Sequence, residues 1–389
     1  MKFSYKNLSS LFLISATGFF IFVIGFSLGT YFKKIETSQG VNFTLLFDAW
    51  KQIEEKFYKF SKEKKEKLLY GAIDGLIKTL EDPYSEFLDP EKTIQFKKEL
   101  GGTYEGIGVE ITIKEDSLVI ISSLEGTPAK KAGLLTGDKI LEIDHQSVEG
   151  ISLVEAVMKI RGEKGTEATL KIKRNDKIFE TKIKRETIEI PSLSFKIIDD
   201  IFLVQIHNFY EKTPLEFKKI SEKILNSGSR KIILDLRNNP GGFLTSAIEI
   251  GNFFIKKGEV ILKEDSGKKR IREIKSEGPG VFSDYKVIVL INEGSASGAE
   301  ILAGALKEQN KVLIIGKKSF GKGTVQELID LKEGALKLSI AQWLLPSGKS
   351  IEGNGIEPDI KIEATQEELE KGKDPQLEKA IEEIKGYQS

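Results

Sequence analysis

The chain has 389 residues, 40% of them hydrophobic and 30% charged, with 59 basic residues against 59 acidic. That balance fits a globular protein of two or three domains, and the even charge excludes the basic excess of a general nucleic-acid binder. The lack of cysteine excludes thiol nucleophiles, disulfides and thiolate metal sites, and only His145 and His207 remain as imidazole bases.

In chain order, Lys2 and Lys6 precede an uncharged apolar run from Leu8 to Phe32, and Lys33 and Lys34 follow it. A helix of about 20 apolar residues spans a bilayer. The run is too long for the core of a cleaved signal peptide and lacks a small-residue cleavage site, so residues 8–32 are expected to form a transmembrane anchor. Basic residues flank both ends, and charge alone does not set its orientation.

Residues 41–100 read as helical. Phe43, Leu46, Phe47, Trp50, Ile53 and Phe57 recur at helical spacing. This stripe is expected to pack in a core, the alternative being a homodimer contact. A second helix is predicted from Lys64 to Leu80, stopped at Glu81-Asp82-Pro83. Residues 101–186 change to short β-patterned runs between glycine turns, with helical pieces near Pro128–Gly133 and Ser152–Ile160, which describes a small β-rich domain. Residues 187–362 alternate strand and helix: buried runs at 231–236, 286–291 and 311–315 are each followed by a glycine-containing turn. That alternation implies a largely parallel sheet covered by helices. The charged stretch Gln366–Lys385, within 363–389, reads as a surface helix.

Three turns carry candidate chemistry. In Gly294-Ser295-Ala296-Ser297-Gly298 a serine opens a helix at the end of a buried strand, where free N–H groups can stabilise an oxyanion. Ser297 and Glu300 also match a capping box, which needs no catalytic role. Gly316-Lys-Lys-Ser-Phe-Gly321-Lys322-Gly323 nearly matches a phosphate-binding loop. However, Gly323 stands where a hydroxyl must bind magnesium, and the next segment alternates like a strand. What remains is a lysine held between glycines. In Asn238-Asn239-Pro240-Gly241-Gly242 the paired glycines allow close backbone approach. Together the three turns suit a serine nucleophile with a lysine base, because burial favours the neutral amine.

At these residues the chain resembles the C-terminal processing proteases, tail-specific serine peptidases. The resemblance rests on Asn292–Glu300, Phe320–Gln326, Asp235–Gly242 and Asp82–Leu88. It implies a ClpP/crotonase-like α/β protease core, in an α+β multidomain chain with an inserted PDZ domain and an N-terminal transmembrane helix. It implies Ser297 as nucleophile, Lys322 as general base and Gln326 as the group that orients the lysine. The oxyanion donors would be the N–H of Gly298 and that of Gly241 or Gly242. Where the family usually has alanine, this chain has Gly298, and a looser turn is expected. Gly106, Ile107, Gly108 and Val109 match the loop of a PDZ domain that holds a substrate's terminal carboxylate by strand addition. Arg161 is a candidate for coupling that binding to the active site, or an ordinary surface arginine. The implied partners are protein substrates held by their C-terminal ends, with no metal or cofactor. The implied location is the cytoplasmic membrane, single-pass, with the catalytic part on the extracytoplasmic (periplasmic) side. Two rivals stand beside this reading: a PDZ adaptor on an inactive protease fold, and a protease whose nucleophile is Ser295.

Overall fold

The computed structural model describes residues 42–114, 116–124, 126–267, 270–363, 368 and 372–386. The anchor expected over 8–32 lies outside the described residues. Among those described, no helix is long and apolar enough to cross a membrane. The chain divides into two compact units, 1–72 and 73–389.

In the first unit, α1 (Thr44–Lys56) precedes the start of α2 (Lys62–Lys78). The expectation that its apolar stripe packs in a core fails: α1 buries no residue, and Leu45 and Phe47 are 80% and 58% exposed. A helix and the start of another supply no further layer to close over an apolar face.

The second unit opens with the end of α2 and continues with β1 (Glu86–Leu88) and α3 (Pro90–Leu100), so the region expected to be helical also holds a strand. Asp89 caps α3 by accepting from the Lys92 N–H at 2.9 Å, ahead of a proline that needs no partner. Next come β2 (Thr103–Gly106), β3 (Val109–Lys114), β4 (Ser117–Ser123), α4 (Pro128–Lys131), β5 (Lys139–Ile143) and β6 (Gln146–Ser147). After them lie α5 (Leu153–Ile160), β7 (Glu167–Arg174), β8 (Lys177–Lys184) and β9 (Glu186–Glu189). The β-rich domain is a sheet in the order β3-β4-β5-β7-β8, with β6 on β5, closed over Ile107, Ile120, Leu170 and Ile172. Its β3 is an edge strand. The chain enters and leaves this domain through a two-stranded ribbon, β2 against β9, with Tyr104 opposite Ile188.

The remaining elements form the α/β core. They are β10 (Leu193–Ile198), β11 (Ile201–Ile206), α6 (Thr213–Ser227), β12 (Lys231–Asp235), α7 (Leu244–Phe254), β13 (Val260–Asp265) and β14 (Ile271–Lys275). Then follow β15 (Lys286–Ile291), α8 (Gly298–Gln309), β16 (Leu313–Gly316), β17 (Thr324–Asp330), β18 (Ala335–Leu344), β19 (Ile360–Lys361) and α9 (Pro375–Gly386). The main sheet runs β10-β11-β12-β15-β16-β19, parallel from β11 onward. Such strands are covered on both faces, which is why they read as continuous apolar runs. One face packs on α6, α7 and α8; the other buries Ile233, Ile288 and Ile315 with Ala380 and Ile384 of α9. The C-terminal helix is therefore a structural layer and not only a surface helix. A second, antiparallel sheet joins β13, β14, β17 and β18 with β1.

Candidate active site

Three neighbouring parallel strands end at one edge of the main sheet. Leu234 of β12 lies beside Val289 of β15, and Leu290 of β15 beside Ile315 of β16. The turns that follow, 238–242, 292–298 and 317–323, therefore meet at the carboxyl edge, where α/β sheets place their sites. Backbone bonds tie them together: Ala296 N–H donates to Asn239 O at 2.9 Å, and Phe320 N–H to Ser295 O at 3.0 Å.

Ser297 is half-buried and caps α8 in an unusual backbone conformation, φ 52° and ψ −113°. A non-glycine residue there carries strain on the order of 1–3 kcal/mol, kept only where the surroundings impose it. Ser295 is 0% exposed; its hydroxyl donates to Leu236 O at 2.8 Å and accepts from Asn292 N–H at 3.0 Å. It is committed to holding the turn, so the rival nucleophile is closed off.

Gly241 (φ 103°) lies directly against the serine. A Cβ on it would stand 2.8 Å from Ser297 Cβ and 3.0 Å from the Gly298 nitrogen. Its own N–H donates to Asn239 Oδ1 at 2.8 Å. Of the two glycines weighed as oxyanion donors, this leaves Gly242, whose N–H meets no acceptor among the described residues. Gly298 is the first residue of α8, and an N–H in the first turn has no intrahelical partner. The turn is not loose at this glycine: an added Cβ would meet the Phe209 ring at 3.2 Å.

The lysine loop is clamped by the chain near residue 352. Gly323 N–H donates to Glu352 Oε2 at 2.6 Å, and Gly353 N–H to Gly321 O at 2.9 Å. A Cβ on Gly323 would stand 2.4 Å from the Glu352 nitrogen, so the glycines flanking Lys322 exist for this approach. Lys322 is half-buried, with Nζ 4.9 Å from the centre of the Tyr84 ring. Burial, then the like charge of Lys337, push its amine below the ordinary lysine value, against the pull of Glu352, Asp82 and Glu300. Gln326 does not hold the lysine here: its amide donates to Thr324 Oγ1 at 2.8 Å and Ser339 Oγ at 3.3 Å. The amine has no hydrogen-bond partner among the described residues, so Ser297 and Lys322 share an edge of the sheet with no hydrogen bond between them. His207 contacts Ser194 Oγ at 3.2 Å and His145 is exposed, so neither replaces the lysine.

Two site residues had no assigned role in the sequence. Tyr84 lies in Asp82-Pro-Tyr-Ser, and β1, just after it, pairs with β18 to bring that segment to the lysine. Ser85 links the segment further, donating to Asp82 and accepting from Ser339 N–H at 3.0 Å. The other is Glu300, read only as a capping residue.

In the β-rich domain, a groove of about 350 Å³ runs between β3 and α5, lined by Tyr104, Gly106, Val109, Ile111, Val157 and Arg161. The N–H groups of Ile107 and Gly108 meet no acceptor among the described residues. Gly108 (φ 79°) has no room for a Cβ, which would stand 2.4 Å from Thr127 Cβ. Arg161 donates to Glu99 Oε1 of α3 at 2.6 Å and lies 5.0 Å from the centre of the Tyr104 ring.

The chain thus combines a parallel α/β sheet, with a serine turn, a glycine turn and a lysine loop at one edge, and an inserted β-rich domain that carries a groove. Residues 200–362 match the model of peptidase family S41, 106–184 a PDZ domain, and 30–92 the N-terminal domain of the activating protease CtpB. A probable CtpA-like serine protease of Staphylococcus epidermidis is 38% identical over 331 residues, covering 84% of this chain and 67% of that protein. Its namesake in Staphylococcus aureus is 38% identical over 324 residues, covering 83% of this chain. The chain spans 65% of the length of that relative. Among solved structures, a photosystem II D1 C-terminal processing protease superposes with TM-score 0.53 at 25% identity, covering 81% of this chain and 86% of that one. A putative S41 protease from Bacteroides fragilis shares the fold, with TM-score 0.57 at 15% identity over 81% of this chain and 90% of that one. The chain belongs to peptidase family S41.

Proposed function

We propose that the chain is a membrane-anchored serine endopeptidase that cleaves protein substrates near their C-termini and captures those ends in its PDZ groove. The observation that carries this reading is the convergence of Ser297, Gly241-Gly242 and a half-buried, charge-disfavoured Lys322 at one sheet edge. The neutral amine of Lys322 leaves the Tyr84 ring, turns to Ser297 and takes its proton, and Oγ attacks the scissile carbonyl carbon. The N–H groups of Gly298 and Gly242 receive the oxyanion. The lysine then protonates the leaving amine; water, deprotonated by the neutral Lys322, attacks the acyl carbon, and the lysine returns that proton to Ser297 Oγ as the ester bond breaks. Gln326 turns toward the lysine when the substrate is in place. A substrate tail adds to the open edge of β3, with its carboxylate on the N–H groups of Ile107 and Gly108.

Incubation with an unstructured protein ending in an apolar C-terminus tests the chemistry. Wild type cleaves it; Ser297→Ala and Lys322→Ala do not. Equal cleavage by all three removes the dyad, and no cleavage by any of them leaves a peptide-docking adaptor. The run 8–32 supports a single-pass anchor, and the resemblance to the processing proteases supports the cytoplasmic membrane with the folded part outside. Digestion of that part by protease added to intact spheroplasts is the expected result, and full protection would reverse the topology. The exposed face of α1 supports a homodimer, read by sedimentation of wild type against Phe47→Glu.

A further inference from the structure

Glu300 is 0% exposed, yet it contacts both halves of the proposed dyad. Its Oε2 accepts from the backbone N–H of Ser297 and from that of Lys322, each at 2.9 Å. Its Oε1 accepts from Ser319 Oγ at 2.5 Å and from the Gly321 N–H at 2.6 Å. Ser319 in turn accepts from the Ile356 N–H at 2.6 Å, so its own proton is directed at Glu300. Four donors and no acceptor face the carboxylate, which fills the sites two oxygens offer. A helix cap needs only one of these bonds. The other three reach the lysine loop, which belongs to a different strand.

We propose that Glu300 is a positioning residue that locks the nucleophile turn and the base loop into one rigid unit. Its bond to the Ser297 N–H holds that residue in its strained conformation and leaves the Gly298 N–H unclaimed for the oxyanion. The requirement is for a pure acceptor, not for bulk: a carboxamide of the same size turns an NH₂ against N–H groups that can only donate. This inference rests on the dyad reading. The two fail separately, because activity surviving in Ser297→Ala and Lys322→Ala removes the dyad whatever Glu300 does.

The test is Glu300→Gln in the full chain, assayed on a peptide substrate, with affinity for a C-terminal peptide and thermal unfolding measured alongside. The expected result is a folded protein whose kcat is lower by on the order of tenfold to a hundredfold, with KM and peptide affinity within about twofold of wild type. The acid limb of kcat/KM should move to lower pH. Among the groups facing Lys322 (Tyr84, Lys337, Glu352, Asp82 and Glu300), Glu300 is one whose charge favours the protonated amine. A kcat within twofold of wild type overturns the inference. So does a limb that moves up toward an ordinary lysine with a raised KM, which marks general opening of the site. Should Glu300→Gln fail to fold, Ser319→Ala removes one donor on the lysine side. It should lower kcat several-fold at unchanged peptide affinity, and an unchanged kcat is again the refuting result.

Discussion

Gly241→Ala puts a single carbon between the glycine turn and the serine turn. The added Cβ would stand 2.8 Å from Ser297 Cβ and 2.9 Å from Ala296 O, where ordinary contact begins at 3.4 Å. Both neighbours belong to a turn held by Glu300 and Ser295, so neither can swing away as the end of a long side chain would. The serine must shift by about half an ångström or more, and a 1 Å misplacement at a reacting group costs on the order of 10²-fold in rate. The glycine also sits at φ 103°, where an L-residue costs roughly 1–2 kcal/mol. For a chain of this size that lowers Tm by about 2–8 °C. The expected outcome is a folded protein with kcat reduced by about ten- to a hundredfold and unchanged affinity for a C-terminal peptide in the PDZ groove. Steady-state kinetics, calorimetry and fluorescence anisotropy read the three quantities. A kcat within threefold of wild type would show that the two turns are not in rigid contact and do not form a preformed unit.

Other expectations concern charge and recognition. Because Lys322 is pushed down by burial and by Lys337, its neutral form, and with it kcat/KM, should rise with pH through a limb below the ordinary lysine range. Lys337→Met removes a like charge that disfavours the protonated amine, so the limb should move to higher pH; a fixed limb contradicts this. Arg237 is half-buried between Asp235 and Asp374, donating to the latter from both terminal nitrogens at 2.8 Å. Arg237→Met leaves those carboxylates without their partner and should cost about 3–5 kcal/mol in urea unfolding; a loss below 1 kcal/mol refutes the network's structural role. Gly108→Val drives a side chain into Thr127 at a left-handed position. It should weaken C-terminal peptide binding at least tenfold, as should amidation of the peptide on the wild-type protein, and retention of affinity by either rejects the carboxylate loop.

The core was readable because its strands are parallel. Each buried run, 231–235, 286–291 and 313–316, points its carboxyl end the same way, so turns distant in sequence had to converge once the strands paired. The turns that hold Ser297, Lys322 and the paired glycines meet at one edge for that reason. Glu300 was half-seen: Ser-x-x-Glu already accounted for it as a cap, and nothing local reveals the three bonds to the loop after β16. Tyr84 was hidden because its approach to Lys322 depends on β1 pairing with β18, an antiparallel contact between opposite ends of the chain. Periodicity misled at α1, since an apolar stripe records which face is greasy and not what covers it. It understated α9, whose charged sequence disguises the few residues, Ala380 and Ile384, that press on the sheet.

The β2–β9 ribbon leaves the peptide-groove domain attached by two adjacent strands, and paired strands lie only about 4.8 Å apart. Entry and exit are thus side by side, and the polypeptide before and after the insertion meets as though nothing had been spliced in. Gly106 and Glu186, opposite each other in the ribbon, are where the domain joins the rest of the chain. By its attachment the groove domain is therefore a unit apart from the α/β core that carries the proposed dyad.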